Sequence, residues 1–249
     1  MRGVLWYQGE SNAYTFGDRY ASSFQALIED WRAVWNRPEL PFLFVQLPEY
    51  DHPQSQPVED AYWARIRAAQ ASVAKAVPFV SMAPALGLGD EDNVHPLNKR
   101  DVALRLAACA RSLVYGEKGV VCMGPQFDEL TTGTASLRVR FRWAEGGLRP
   151  ASGDALKGFA IAGKDRKFVW ADARIEKDRV TLSSPQVPEP CHAAYGWSDN
   201  PQGNLVNGAG LPASPFRTGS CWLLFPKELL GPKPFFLWDG SILSHNLYM

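Results

Sequence analysis

The sequence predicts an α/β layer built on a parallel sheet, followed by an all-β, sandwich-like domain. In the first half, short apolar runs alternate with segments in which apolar residues recur at helical spacing. In the second half, apolar and polar residues alternate along short runs that Gly and Asp turns separate. The character of the chain changes near residue 118. We therefore predict domains at 1–117 and 118–226, with a tail at 227–249.

The elements of the first half follow from these patterns. Continuous apolar runs predict buried strands at 4–7, 42–47 and 79–83. Apolar residues three or four positions apart predict helices at 18–35, 60–76 and 98–115. Asp60 is expected to cap the second helix, and Gly116 to end the third. Buried strands that alternate with helices favour a parallel sheet covered on both faces.

The second half shows the period of two that half-buried antiparallel strands require. Apolar and basic residues alternate at 137–143, and further short strands are predicted at 159–162, 167–175 and 179–183. Gly and Asp residues between the short runs supply the turns. This part of the chain is therefore expected to form a β-sandwich.

Composition excludes several classes of partner. Across 249 residues, 26 Lys and Arg balance 26 Asp and Glu, so no charge excess favours nucleic acid or an anionic membrane. No apolar run is long enough to span a bilayer. The four Cys show neither a C-x-x-C pair nor metal-ligand spacing with the four His. We predict no metal and no cofactor.

The segment 92–95 contains a candidate catalytic pair. The Asp92 carboxylate can accept a hydrogen bond from the Nδ1–H of His95. That bond would fix the imidazole tautomer and leave Nε2 to take a proton from a hydroxyl nucleophile. The pair follows a predicted buried strand, where α/β enzymes place their chemistry. The alternative is a solvated surface loop in which Asp92 only caps a turn.

The segment 8–12 is a second candidate, at the end of the first predicted strand. The amide of Gln8 is suited to donate a hydrogen bond to an oxyanion, and Gly9 allows close backbone approach. Glu10 is expected to hold the amide in place. The alternative is a turn that only ends the strand. Ser11 is a further alternative, as a nucleophile, and would need His95 within hydrogen-bond reach.

Three long motifs occur in a fixed order along the chain: Trp-Tyr-Gln-Gly-Glu-Ser-Asn, ending at Asn12; Asp-Asn-Val-His-Pro at 92–96; and the stretch 196–217. Together they resemble the sialate O-acetylesterase family of SGNH hydrolases. Segments 159–163 and 168–173 resemble the β-domain of that family, so the similarity covers residues 3 to about 225. It implies a flavodoxin-like SGNH domain, a β-sandwich partner domain, and metal-independent removal of O-acetyl groups from sialic acids or related sugars.

The resemblance also implies roles for the candidate residues. His95 would be the general base, Asp92 would orient it, and Gln8 or Asn12 would donate to the oxyanion, with Gln8 favoured. Arg67 lies in a stretch that resembles a recurring Arg-Glu-Ala-Gln motif, but a solvated helix face is the preferred interpretation for it.

One departure from the family pattern limits the functional prediction. The nucleophile block of the family, Gly-Gln-Ser-Asn-Met, and the glycine donor of its second block do not occur in these 249 residues. We therefore interpret the chain as the C-terminal portion of a carbohydrate O-acetylesterase, with a partial SGNH domain. The alternative functions are an inactive fragment or a sugar-binding β-module, and a plant-polysaccharide acetylesterase is a related possibility.

The same resemblance sets the expected partners and location. The expected partner is an acetylated sugar, together with self-association or pairing with a missing N-terminal half. For a full-length parent, the family suggests a periplasmic, secreted or lysosomal location.

Overall fold

The computed structural model describes residues 1–15 and 17–219. The α/β unit, defined here as the described residues up to 115, contains strands β1 (Val4–Trp6), β2 (Phe42–Gln46) and β3 (Val80–Pro84). Its α-helices are α1 (Glu10–Ala13), α2 (Tyr20–Val34), α3 (Tyr62–Ala76) and α4 (Lys99–Cys109). A 3₁₀ turn at Gly17–Arg19 leads into α2, and a π-helical turn at Ala110–Val114 extends α4.

The three strands form one parallel sheet in the order β1-β2-β3, as the alternating pattern predicts. All five residues of β2 are buried because helices cover both faces of the sheet. On one face, Phe44 packs edge-to-face on Phe24 of α2, with 5.0 Å between ring centroids. On the other face, Val45 packs with Val102 of α4. The predicted strands and the three long helices of this unit are confirmed, with small shifts at their ends.

The start of α3 differs from the prediction. Asp60 does not cap this helix, because the N-cap position is Ala61 and the Asp60 carboxylate binds Arg65 instead. The free N–H of Trp63 in the first turn donates to Asp199 Oδ1 at 2.6 Å. The cap of α3 therefore comes from a residue 136 positions along the chain, which local sequence patterns do not reveal.

The β unit, defined as residues 126–217, is a sandwich of antiparallel sheets. One sheet has the order β4-β5-β10-β9, the other β13-β11-β7-β8, and β12 pairs with β6. These strands are β4 (Gln126–Gly133), β5 (Ser136–Arg142), β6 (Leu148–Pro150), β7 (Phe159–Ala162), β8 (Val169–Trp170), β9 (Asp172–Glu176), β10 (Arg179–Ser183), β11 (His192–Tyr195), β12 (Leu205–Asn207) and β13 (Phe216–Arg217). Inward side chains of both main sheets form one core that includes Val139, Phe159 and Val180.

The predicted strand at 167–175 is wrong as a single element. The chain instead crosses from one sheet to the other at Ala171, which separates β8 from β9. Five further strands, β4, β6, β11, β12 and β13, have no counterpart in the prediction. Four of these have only two to four residues, too few to show a period of two.

Two further predictions concern the limits of these units. The domain boundary near residue 117 stays a prediction, and the tail at 227–249 lies outside the described residues. Among the residues that the structure describes, none of the helices has the length and apolar character needed to cross a membrane.

Candidate active site

The carboxyl ends of the three parallel strands lie at one edge of the sheet and carry the candidate residues. β1 leads into segment 8–12, and β3 leads into the loop at 85–98. Parallel strands place their ends side by side, where α/β proteins bind their ligands. The two groups that the sequence predicts therefore share one edge, with the end of β2 between them.

The side-chain amides of Gln8 and Asn12 bind each other. Gln8 Nε2 donates to Asn12 Oδ1, and both side chains are half-buried. The backbone oxygen of Gln8 accepts from the Tyr20 hydroxyl at 2.8 Å and from Gln70 Nε2 at 3.2 Å. Helices α2 and α3 thus fix this strand end. Within the described residues, the Asn12 amide nitrogen has no hydrogen bond of its own.

Gly9 allows the close approach that the sequence predicts. Its φ of +150° is rare for L-residues. A Cβ atom at this position would lie 2.9 Å from Ile66 Cγ2 and 3.2 Å from Leu47 Cδ1. The backbone oxygen of Gly9 then accepts the first amides of α1, from Asn12 and Ala13. A glycine is needed here because the strand end is pressed directly onto α3.

Glu10 and Ser11 take positions that differ from their expected roles. Glu10 begins α1, and the structure does not bring it to the Gln8 amide, whose partner is Asn12. Its charge adds to burial in raising the pKa of Tyr7 to about 12. Ser11 is exposed, and its backbone oxygen accepts from Thr15 Oγ1 at 3.2 Å. No hydrogen bond joins the Ser11 hydroxyl to His95 in the described part of the chain.

Asp92 and His95 are both exposed on the loop that follows β3. The backbone N–H of Asp92 donates to Asp90 Oδ1 at 3.0 Å, and that of His95 donates to Asn93 Oδ1 at 2.9 Å. These Asx-type bonds shape the loop, but neither joins Asp92 to His95. Asp92 and His95 therefore lie on the same loop, but the expected hydrogen bond between their side chains is not formed. Catalytic hydrogen bonds are often long in proteins without substrate and shorten in the substrate complex.

Lys99, the first residue of α4, connects the His95 loop to the end of β1. Its Nζ donates to the backbone oxygen of Pro96 at 2.6 Å and lies 5.6 Å from the ring centroid of Tyr7. Tyr7 directly precedes the Gln8–Asn12 amide pair. On the other side, Glu49 Oε2 accepts from the Gly87 backbone N–H at 2.9 Å. The loop is thus tied to the ends of both β1 and β2.

Tyr7 is a polar residue of this edge that sequence reasoning did not single out. Its hydroxyl is buried and has no hydrogen-bond partner among the described residues. Burial is the main reason why its pKa rises to about 12, with the charges of Glu10 and Glu49 as smaller causes. The signal available in the sequence was its place between the apolar strand and the polar segment.

The prediction of a solvated helix face for Arg67 is wrong. Its side chain is fully buried, and Nη1 donates to the Pro48 backbone oxygen at 2.8 Å. Nη2 donates to the backbone oxygens of Ser198 and of Asp199, the latter at 3.1 Å. Burial lowers the pKa of the Arg67 guanidinium to about 10. The five donors of Arg67 fit a site where several carbonyl oxygens converge.

Arg67 belongs to a joint between the two units that is centred on residues 197–200. Asn200 Nδ2 donates to the Asp51 backbone oxygen at 2.7 Å, and the Gln54 N–H donates to the Asn200 oxygen at 2.8 Å. The Ser198 hydroxyl donates to Glu59 Oε2 at 2.9 Å. This segment lies in the third sequence motif. The motif therefore fixes the β unit to the loop that follows β2.

A cavity of about 540 Å³ lies between the two units near this joint. Glu49, Gly87 and Arg105 line it from the α/β unit, and Lys157 and Asn200 from the β unit. Within residues 1–15 and 17–219, no three His, Cys, Asp or Glu side chains converge into a possible metal site.

Comparisons with known proteins find relatives of this chain. The family model described as "Carbohydrate esterase, sialic acid-specific acetylesterase" matches residues 1–109. A crystal structure described as a novel carbohydrate acetylesterase from Xanthomonas citri aligns with a TM-score of 0.82 and 39% identity. Residues 1–109 of this chain are thus similar to the acetylesterase family. The alignment with the Xanthomonas citri protein covers 88% of this chain and 50% of that one.

Two curated members of the acetylesterase family extend the comparison. The sialate O-acetylesterases of Mus musculus and Homo sapiens are each 38% identical to this chain over 141 residues. These alignments cover 50% of this chain and 26% of each relative. The chain thus spans about a quarter of the curated acetylesterases that it matches and half of the Xanthomonas citri protein.

Proposed function

We propose that this chain supplies the base and the oxyanion side of a carbohydrate O-acetylesterase active site. The observation that carries the proposal is the common sheet edge, where Lys99 links the His95 loop to the strand end that bears Gln8 and Asn12. The match of residues 1–109 to the acetylesterase family model supports the same reaction class. The substrates would be O-acetyl esters of sialic acid or of related sugars.

The proposed reaction runs through an acetyl-enzyme. A serine hydroxyl attacks the acetyl carbonyl carbon while its proton passes to His95 Nε2, and Asp92 orients the imidazole. The tetrahedral intermediate collapses, and the sugar oxygen leaves with the proton from His95. Water, deprotonated by the same histidine, then attacks the acetyl group and releases acetate and the serine.

The hydrogen bond between Gln8 and Asn12 suggests different roles for their two side-chain amides at the oxyanion. Gln8 Nε2 is engaged by Asn12 Oδ1, which orients the Asn12 amide. We therefore assign the oxyanion hydrogen bond to Asn12 Nδ2 and a positioning role to Gln8, whereas sequence reasoning favours Gln8 as the donor. A preorganised donor of this kind contributes about a hundredfold or more to kcat.

The serine of this proposal comes from a Gly-Gln-Ser-Asn-type block, which the 249 residues do not contain. The alternative nucleophile Ser11 is exposed and not hydrogen-bonded to His95. The proposal therefore requires a longer protein that carries this block.

Acetate release from p-nitrophenyl acetate tests the proposal. We expect the 249-residue chain alone to remain close to the buffer rate, and a protein that also carries the serine block to turn over. In that longer protein, His95→Ala should lower kcat by about a thousandfold or more, and Asp92→Asn by the same factor or less. His52→Ala is the matched control, because that histidine is exposed on a different loop.

Two outcomes would contradict these assignments. Turnover by the chain alone that Ser11→Ala abolishes would make Ser11 the nucleophile. An unchanged kcat in the longer His95→Ala protein would remove His95 from the reaction.

A further inference from the structure

A cleft of about 380 Å³ opens between the end of α1, the 3₁₀ turn at Gly17–Arg19 and the start of α3. Tyr14 and Tyr62 line it together with Asp18, Arg19 and Arg65. Its volume lies in the range of small-molecule sites. Ala13, which follows the candidate oxyanion donor Asn12 in sequence, also lines the cleft.

The two tyrosines are exposed although aromatic residues of this unit mostly pack in its core. Tyr14 is 56% exposed and Tyr62 is 43% exposed, and their ring centroids lie 5.3 Å apart with planes inclined by 53°. Behind them, the buried Trp63 lies 5.8 Å from the Tyr14 ring. The rings thus form a supported apolar wall that is open to solvent.

Polar and charged groups complete the cleft. The Arg65 guanidinium lies 5.7 Å from the Tyr62 ring centroid, and Arg65 Nη1 lies 4.0 Å from Asp18 Oδ1. Aromatic walls with a few charged hydrogen-bonding groups suit a ring that has one apolar face and polar substituents at its edge. A pyranose has this character, because its axial C–H bonds form an apolar face and its hydroxyls lie around the rim.

We propose that the cleft of Tyr14 and Tyr62 binds the pyranose ring of the acetylated sugar and places its ester at Asn12. This inference rests on the proposed function for the identity of the sugar. The two tyrosines stack on the ring, and the charged groups bind its hydroxyl or carboxylate substituents. The tyrosines then determine specificity for sugar esters over simple acetates, because p-nitrophenyl acetate has no sugar to stack.

The experiment measures sugar binding without turnover. The probe is the methyl glycoside of N-acetylneuraminic acid, whose N-acetyl group is an amide, titrated into the 249-residue chain by calorimetry and saturation-transfer NMR. We expect saturable binding that Tyr14→Ala and Tyr62→Ala each weaken by about tenfold. Tyr14→Phe should weaken it less than threefold because the ring remains. Circular dichroism verifies that each variant is folded.

Tyr115→Ala is the matched control, since Tyr115 is 66% exposed after the π-helical turn that extends α4 and does not line the cleft. An unchanged affinity in folded Tyr14→Ala and Tyr62→Ala, an equal loss in Tyr115→Ala, or no saturable binding by the unaltered chain would overturn the proposal. Binding that depends on the tyrosines, in a longer protein without esterase activity, would retain this site and reject the proposed function. Esterase activity without tyrosine-dependent binding would do the reverse.

Discussion

Gly9 shows how one residue sets the geometry of the candidate site. Its backbone conformation and the nearness of Ile66 both exclude a side chain. The strand end can therefore turn into α1 while it lies against α3, and the amides of Gln8 and Asn12 meet as a result. The sequence predicts the need for close approach at Gly9, but not that α3 is the partner.

Replacement of Gly9 by Ala should lower the free energy of unfolding by about 2 kcal/mol or more, because a strained φ and a clash add together. Gly116→Ala is the control: Gly116 also has a positive φ, +66°, but a Cβ there meets no atom within 4 Å. That variant should cost about 1 kcal/mol. Urea unfolding measures both. Equal losses would mean that Ile66 yields to the added methyl group without penalty.

Asp199 is a residue of the joint whose protonation affects the stability of the fold. Burial raises the pKa of the Asp199 carboxyl above its usual value. The hydrogen bond from the Trp63 N–H and the charge of Arg67 lower this pKa, but the effect of burial is larger. Between the usual pKa and the raised one, the folded chain binds more protons than the unfolded chain. The contribution of Asp199 to the free energy of unfolding therefore decreases as the pH rises through this window.

The variant Asp199→Asn should remove that pH dependence and keep an oxygen for the Trp63 N–H. We expect its stability relative to the unaltered chain to improve as the pH rises from about 3 to 6, as measured by urea unfolding at each pH. Asp199→Ala should be less stable than Asp199→Asn throughout, because the N–H of Trp63 loses its acceptor. A stability difference between Asp199→Asn and the unaltered chain that stays constant with pH would refute this explanation.

At the scale of elements, β1 is the least covered strand of the parallel sheet. Among the described residues it pairs only with β2, and Leu5 is 66% exposed. An unpaired row of backbone N–H and C=O groups is a template for pairing with another chain. The equal numbers of acidic and basic residues leave little net charge to oppose such pairing.

We expect the 249-residue chain to self-associate, and Leu5→Lys to reduce this association because a charge on an edge strand opposes strand pairing. Leu104→Lys on α4 is the control, since Leu104 is 57% exposed and lies on a helix. Light scattering coupled to size-exclusion chromatography, over a range of concentrations, measures the masses. A monodisperse monomer at every concentration would reject the prediction. The segment 235–238, a candidate to cover this edge, lies outside the described residues.

At the scale of the whole molecule, local patterns predict the order of strands and helices in the α/β unit because its helical patterns extend over more than ten residues and its strands are continuous apolar runs. They do not predict contacts between distant segments. Arg67 looks like a solvated residue in sequence because the carbonyls of Ser198 and Asp199 that it binds are more than 130 positions away. Strands of two or three residues in the β unit are missed for a different reason, since they are too short for any period.

The candidate site is likewise predictable from the sequence only in part. The sequence places Asp92, His95 and the segment 8–12 at strand ends, and the fold brings those ends to one edge. The pairing of Gln8 with Asn12, the isolation of the Tyr7 hydroxyl and the tyrosine cleft depend on side-chain directions, which follow from packing against α3. Local patterns in one sequence do not contain that packing.

The joint at residues 197–200 has a consequence for how the polypeptide is connected. Residues 116–119, which connect α4 to the β unit, are exposed. The hydrogen bonds of Arg67 and Asn200 hold the two units together at a different place, the joint at residues 197–200. Cys122 and Met123, just after this connection, are buried in the core of the α/β unit. A chain cut at residue 117 should therefore give two fragments that remain assembled. The same fragments, made separately, should reconstitute the fold when they are mixed.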